Sequence, residues 1–310
     1  MIDRRTLLAA AAAAALAAAC SRNADAGQEA KASPEPAPAP PPPPDETAAE
    51  AFEAIRSTLG PGGRFGIAAI DTGSGRRLVH DSDSRYPLAS TFKLPLAAAV
   101  LAEVEKGRIG YDEELPFAPG DPLGNSPTVE ANLALGKLPV RQLCGAVIER
   151  SDNSAANMLL KRLGGPEAFN AFVRRCGDEV TRLDRYEMEM GSNAAGDVRD
   201  TTSPAAMAGL VRTLLLGDVL EERSRNLLRQ WMIRSVPGPD RLRAGLPEDW
   251  LFGHKTGTAA NGGLNDVGIA WRSGAAPIVI ACYLTGGEAS AKVRAAAHAS
   301  AARIVAERLG

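Results

Sequence analysis

The 310-residue chain is long enough for one large domain or two smaller ones with a well-buried core. Hydrophobic residues at 45% and charged residues at 23% are globular proportions, and a formal net charge of -2 offers no basic footprint for nucleic acid or an anionic membrane. The histidines His80, His254 and His298 are far apart and no C-x-x-C or H-x-H pair occurs, which argues against a locally spaced zinc site.

In chain order the first feature is a leader rather than fold. Arg4 and Arg5 precede an alanine-rich apolar run that ends at Ala19-Cys20, the pattern of a signal peptide over residues 1–20, and the adjacent arginines match a twin-arginine export signal. The run is too short and weakly apolar for a bilayer span. Residues 17–20 resemble a lipoprotein processing box, so Cys20 is either lipidated or lost in plain cleavage. The expected location is accordingly the periplasm or cell exterior, with any membrane contact made only through Cys20. Residues 21–48 form a Pro/Ala-rich linker, with Pro40 to Pro44 unbroken, a composition that favours an extended polyproline tether. Cys144, Cys176 and Cys282 permit at most one internal bridge, and read most simply as small buried hydrophobes.

The globular body starts with helical periodicity over 49–59. Residues 65–71 and 76–80 flank the turn Thr72-Gly73-Ser74-Gly75 and predict a β-hairpin. A mainly helical region spans 91–231, with helix ends at Lys106-Gly107, Leu163-Gly164-Gly165 and Arg175-Cys176-Gly177, and a start at Ser203-Pro204. Strand character returns at 251–255, 266–271 and 277–284, and an alanine-rich helix closes the chain at 290–309. The fold class is α/β in the α+β sense: an antiparallel sheet built from both termini, flanked by helices, with an all-helical lobe inserted and the active site between the two. The sheet part comprises 49–88 plus 233–310, and the helical part 89–232.

Three short constellations carry chemistry. Ser90-Thr91-Phe92-Lys93 opens a helix, so Ser90 and Lys93 share one face, and the helix N-terminus favours a developing oxyanion. A desolvated Lys93 could draw the proton from Ser90, the plain alternative being a helix cap with a solvated lysine. Ser151-Asp152-Asn153 supplies a hydroxyl for proton relay and an amide for a substrate carbonyl, or else simply caps a helix. Lys255-Thr256-Gly257, at the end of the strand at 251–255, offers a cation and a hydroxyl for a carboxylate, with Gly257 allowing close approach of a ligand; an exposed lysine on a strand is the bland reading.

The order S-x-x-K, S-D-N, K-T-G resembles the class A β-lactamases and their penicillin-binding relatives, and the likeness runs from about Phe65 to Gly287. Residues 182–187 and 199–204 resemble the two ends of the class A Ω-loop, and residues 237–243 a segment that supplies a carboxylate-binding arginine in one branch. The resemblance implies a catalytic domain over 49–310 in which Ser90 attacks the lactam carbonyl and Lys93, or a water on Glu187, takes its proton. The backbone N–H groups of Ser90 and Thr258 would form the oxyanion hole. Ser151, backed by Lys255, would protonate the leaving nitrogen. Lys255, Thr256, Gly257 and Arg241 would hold the substrate carboxylate and Asn153 the acylamino group, while Glu187 activates the deacylating water. Arg185 and Asp200 match the loop's ion pair.

No metal or organic cofactor is implied, and the expected partner is a β-lactam antibiotic met by a monomer, with no nucleic acid. Alternatives sharing the motifs are a D-alanyl-D-alanine peptidase and a β-lactam receptor that stays acylated; Glu187 in its loop frame argues for turnover. Departures from the family pattern are Gly191 for an asparagine, Met188 for a proline that often follows a cis peptide, Asn125 for an aromatic, and Ala89 and Ala259 in place of a bridging cysteine pair.

Overall fold

Alternation along the first strand sends Phe65, Ile67 and Ala69 to one face and Ala68 and Ile70 to the other, and the computed structural model buries both sets. The structure describes residues 46–192, 196–259 and 262–310. The leader, Cys20 and the proline run lie outside the described residues. In chain order the elements are α1 (Glu46–Ser57), β1 (Arg64–Asp71), β2 (Arg77–His80), β3 (Tyr86–Pro87), α2 (Lys93–Glu105), β4 (Glu114–Pro116), α3 (Pro127–Ala131), β5 (Lys137–Pro139), α4 (Val140–Glu149), α5 (Asn153–Leu163), α6 (Gly165–Arg175), β6 (Thr201–Thr202), α7 (Pro204–Leu216), α8 (Glu222–Ile233), β7 (Leu251–Ala259), β8 (Gly263–Arg272), β9 (Ala275–Thr285) and α9 (Ala291–Leu309).

Five strands form one antiparallel sheet in the order β2-β1-β9-β8-β7, so the first and last strands of the described residues meet where β1 pairs β9 from Arg64↔Thr285 to Asp71↔Ile278. One face carries Ile67, Ile280, Cys282 and Leu284 against Phe52 of α1 and Ala301 and Val305 of α9. The other carries Ile70, Val267, Val279 and Tyr283 against the helices of the inserted lobe. At the centre of that lobe, α2 reads KLPLAAAVLA and is buried without a break from Lys93 to Ala102. A helix apolar on all sides has no solvent face, so its first residues must sit under cover.

Helix starts follow the capping residues: Ser203 accepts from Ala206 N–H, Ser290 from Val293 N–H and Asp152 from Ala155 N–H. The structure departs from expectation in four places. The first helix begins at Glu46 rather than 49, since no breaker separates Asp45 from Ala49. Ser90 lies in a 3-10 turn, Ala89–Phe92, that feeds α2. The strand expected over 251–255 continues to Ala259, because β8 pairs it through Ala259↔Gly263, so Lys255-Thr256-Gly257 lies inside a strand rather than at its end. Two short ribbons are also unexpected, β4–β5 inside the helical region and β3–β6 joining it to residues 86–87; their two- and three-residue strands are too short for any periodicity.

Packing between the 3-10 turn Leu242–Gly245 and α9 leaves no room for a methyl group: a Cβ on Gly245 would lie 1.9 Å from the Ala299 carbonyl oxygen. Gly245→Ala should therefore cost about 3 kcal/mol and lower Tm by about 5–10 °C. Gly209 in α7 meets nothing within 4 Å, and Gly209→Ala should instead stabilise by about 0.5–1 kcal/mol through helix propensity. Calorimetry on the pair checks both signs; equal Tm values would contradict the packing described.

Candidate active site

The turn bearing Ser90 is held from several directions. Ala89 has φ +42°, a left-handed conformation that costs an alanine about 1 kcal/mol or more and persists only where neighbours enforce it. Those neighbours are specific. Leu88 N–H donates to Asp200 O at 2.8 Å, and the Asn265 amide donates to Pro87 O at 2.8 Å and Leu88 O at 3.3 Å. Thr91 Oγ1 donates to Leu88 O at 2.6 Å and lies 3.1 Å from the buried Tyr283 hydroxyl. From β7, Gly257 packs directly on this turn: a Cβ there would lie 3.1 Å from Ala89 Cβ and Leu88 O. The absence of a side chain at Gly257 thus brings the strand carrying Thr258 against the Ser90 turn.

Lys93 Nζ lies at the centre of the site. It is 2.9 Å from Ser90 Oγ, 2.9 Å from Ser151 O, 2.5 Å from Asn153 Oδ1 and 3.0 Å from Glu187 Oε1. An ammonium has three protons, so four oxygens at these distances cannot each receive one of their own. Complete burial pushes the Lys93 pKa down, and the negative charges of Glu187 and Asp152 restore only part of the loss.

Ser151, Asp152 and Asn153 turn the corner between α4 and α5. Asp152 is structural: its carboxylate accepts from Ala155 N–H at 2.8 Å, Thr128 N–H at 2.9 Å and Val129 N–H at 3.1 Å. That tie leaves Ser151 and Asn153 to face Lys93. Ser151, with φ +59°, accepts on its hydroxyl from Lys255 Nζ at 3.0 Å. Lys255 also donates to Thr256 O at 2.6 Å; its burial, then the charges of Lys93 and Arg241, hold its pKa well below the ordinary lysine value. The Asn153 amide donates to Gly124 O and, at 3.3 Å, to Met188 Sδ. Asn125 lies alongside, its amide donating to Ser151 O at 3.0 Å.

Glu187 is positioned by its backbone. Asn157 of α5 clamps it from both sides, donating to Glu187 O at 2.7 Å and accepting from Glu187 N–H at 3.0 Å. The Glu187-Met188 peptide is cis, Met188 is exposed, and Gly191 falls in the 3-10 turn Glu189–Ser192. At the base of the loop Arg185 Nε lies 2.5 Å from Asp200 Oδ2, while Asp200 Oδ1 accepts from Asp184 N–H at 2.7 Å and Arg185 N–H at 3.0 Å.

Arg241 is buried beside the third motif, donating to Gly257 O at 2.9 Å, Asn265 O at 2.7 Å and Thr258 Oγ1 at 3.0 Å. Gly238, at φ +78°, makes room for it, since a Cβ there would lie 2.7 Å from Thr256 Cγ2 and 3.0 Å from Arg241 Cδ. Ser90, Lys93, Ser151, Asn153, Glu187 and Lys255 are thus joined by direct contacts, with Arg241 beside Thr258 and the Arg185–Asp200 pair at the base of the loop. The Asp152 bond to Ala155 N–H is the helix cap that the motif offered, whereas sequence reasoning missed Asn157, Asn265 and the Asp152 contacts to Thr128 and Val129, all of which join segments distant in the chain. Among the described residues no cluster of three or more metal-binding side chains occurs. Among the described residues Cys144, Cys176 and Cys282 are free thiols; burial pushes Cys144 up to about 12 and Cys176 up to about 11.

The contacts at Asp200 make its pair with Arg185 asymmetric. Arg185→Ala removes the cation facing Asp200 and, at 3.7 Å, Asp197, while Asp200 keeps its two backbone N–H donors, at a cost of about 3 kcal/mol at most, whereas Asp200→Ala leaves those two N–H groups without an acceptor and should cost more. Both should reduce turnover more than global stability, and a double-mutant cycle should give a coupling of about 1 kcal/mol or more. No coupling would refute the pairing.

Comparison with known proteins agrees with this geometry. A model of the β-lactamase enzyme family matches residues 48–309. The chain is 45% identical over 249 residues to β-lactamase AST-1 of Nocardia asteroides, covering 80% of each chain. It is 42% identical over 266 residues to β-lactamase L2 of Stenotrophomonas maltophilia, covering 85% of this chain and 86% of the other. Among solved structures, a reconstructed last common ancestor of Gram-negative class A β-lactamases superposes with a TM-score of 0.82 at 46% identity, covering 85% of this chain and 100% of the other. A putative class A β-lactamase, PenP from Rhodopseudomonas palustris, gives 0.81 at 41% identity over 84% of this chain and 99% of the other. The chain belongs to the class A β-lactamase family, and its reaction is hydrolysis of β-lactams.

Proposed function

We propose that hydrolysis proceeds through an acyl-Ser90 intermediate, freed by a water that Glu187 activates. The observation that carries this reading is the shared position of Lys93 Nζ, within 3.0 Å of both Ser90 Oγ and Glu187 Oε1. One amine can then serve both half-reactions. In the first, Ser90 Oγ attacks the lactam carbonyl carbon while its proton passes to the Lys93–Glu187 pair. The lowered Lys93 pKa favours the neutral amine that such a transfer needs. The Ser90 and Thr258 backbone N–H groups would receive the oxyanion, an effect typically worth several kcal/mol. As the C–N bond breaks, Ser151, its hydroxyl held 3.0 Å from Lys255, gives its proton to the nitrogen and takes up the Ser90 proton from Lys93, which leaves Glu187 free for the second half-reaction.

In the second half-reaction Glu187 takes a proton from water, the hydroxide attacks the ester, and Ser90 leaves with a proton returned through Lys93. Lys255, Thr256 and Arg241 would hold the substrate carboxylate, and the Asn153 amide its acylamino carbonyl. The Glu187 carboxylate in contact with Lys93 favours turnover over a peptidase or a receptor that stays acylated. The leader supports export, with Cys20 as a lipid anchor or a residue removed in processing. Among the described residues no helix is long and apolar enough to cross a membrane.

Two variants test the assignment. Ser90→Ala should abolish turnover in a folded protein, and mass spectrometry of the wild type with a slow substrate should place the adduct on the Ser90 peptide. Glu187→Ala should still acylate but deacylate about 10²–10⁴-fold more slowly, so that acyl-enzyme accumulates. An adduct elsewhere, or normal deacylation by Glu187→Ala, would contradict the mechanism.

A further inference from the structure

Of the fully buried carboxylates Asp152, Asp200 and Asp266, the site described above gives a role to the first two and none to Asp266. Asp266 of β8 lies opposite Thr256 in the β7–β8 register. Its Oδ1 lies 2.8 Å from Nδ1 of the buried His254, and its Oδ2 accepts the Leu242 N–H at 3.2 Å. Leu242 follows Arg241 directly, and His254 lies two residues before Thr256, on the same face of β7. Around this carboxylate the polar contacts of the substrate-binding strand come together: Arg241 donates to the backbone of Asn265, the residue before Asp266, and to Gly257 and Thr258 on β7. All three acceptors on the guanidinium are uncharged oxygens.

A buried carboxylate costs several kcal/mol in desolvation unless its hydrogen bonds and charge offset that cost. Here one oxygen fastens the turn 237–243 to β8, and the other engages a ring on β7. Burial pushes the Arg241 pKa down, and the Asp266 charge is the largest influence opposing that shift; it also favours the charged form of Lys255.

We propose that Asp266, with His254, is a positioning residue for substrate binding: by tying Leu242 to the β7–β8 pair it fixes the Arg241 guanidinium beside Thr258, where a substrate carboxylate docks. This rests on the reading of Arg241 as a carboxylate ligand. Asp266 touches no reacting atom, so its effect belongs in KM rather than kcat. The sign is diagnostic. Removing a negative charge near an anion site would by simple electrostatics tighten anion binding, whereas loss of positioning weakens it.

The test compares wild type, Asp266→Asn, Arg241→Ala and the double variant, each on a penicillin and on its methyl ester, which lacks the carboxylate charge. Asp266→Asn should raise KM for the acid about tenfold with kcat changed less than about twofold, and should leave kcat/KM for the ester unchanged. In the Arg241→Ala background it should add nothing further to KM, because the residue it positions is gone. A lowered or unchanged KM, an equal effect on the ester, or effects that add in full would overturn the proposal. If Arg241→Ala alone leaves the acid's KM unchanged, the assignment of Arg241 falls first, a failure visible independently of Asp266. Should Asp266→Asn not fold, His254→Gln, which keeps the carboxylate, carries the test: an increase of about threefold in KM for the acid alone supports the proposal, and no increase overturns it.

Discussion

A fully buried amine, surrounded by more oxygens than it has protons, is the constraint on which the rest of this structure depends. Lys93 contacts the Ser90 hydroxyl, the Ser151 carbonyl, the Asn153 amide oxygen and the Glu187 carboxylate. These come from the start of α2, the corner before α5, and the loop beyond α6, and each must be held for the lysine to remain where it is. The apolar surround of α2 keeps Lys93 dry, Asp152 pins the corner, and Asn157 holds the backbone of Glu187. Loosening any of these admits water or withdraws an acceptor, and the lysine then reverts towards an ordinary ammonium.

A second layer of positive charge lies behind the first. Lys255 and Arg241 are buried, and burial opposes their charge. Lys255 feels Lys93 and Arg241 as like charges, relieved in part by Asp266 and Glu187. Such a site is unfavourable when empty and improves when an anion enters, which suits a substrate bearing a carboxylate next to its reacting ring. The same arrangement places Lys255 against Ser151, so the cation that meets the anion also supports the proton relay.

Much of this was legible in the sequence because it was local. The three motifs lie where a turn, a helix corner and a strand present side chains at fixed spacing, and the strand character of 65–71 and 277–284 marked the paired central strands of the sheet. The capping residues at Ser203 and Ser290 marked helix starts to within a residue. What could not be read locally was contact between distant segments. β7 runs past Gly257 because β8 continues to pair with it, although Thr256-Gly257-Thr258 has no apolar alternation. Gly257 reads as room for a ligand, and the sequence does not show that it also packs against the Leu88–Thr91 turn, more than 150 residues earlier. Asn157 and Asn265 look like any polar residue on a helix or a strand until the loop or turn that each holds has folded against it.

The most direct measurement of the central claim is the titration of Lys93 itself, followed by NMR of its side-chain nitrogen in protein labelled at lysine. The account predicts a midpoint below the ordinary lysine value of about 10.4. It also predicts a further fall in Glu187→Gln, since the Glu187 charge is what most strongly opposes the loss of the proton. A midpoint at or above the ordinary value, insensitive to Glu187→Gln, would contradict it.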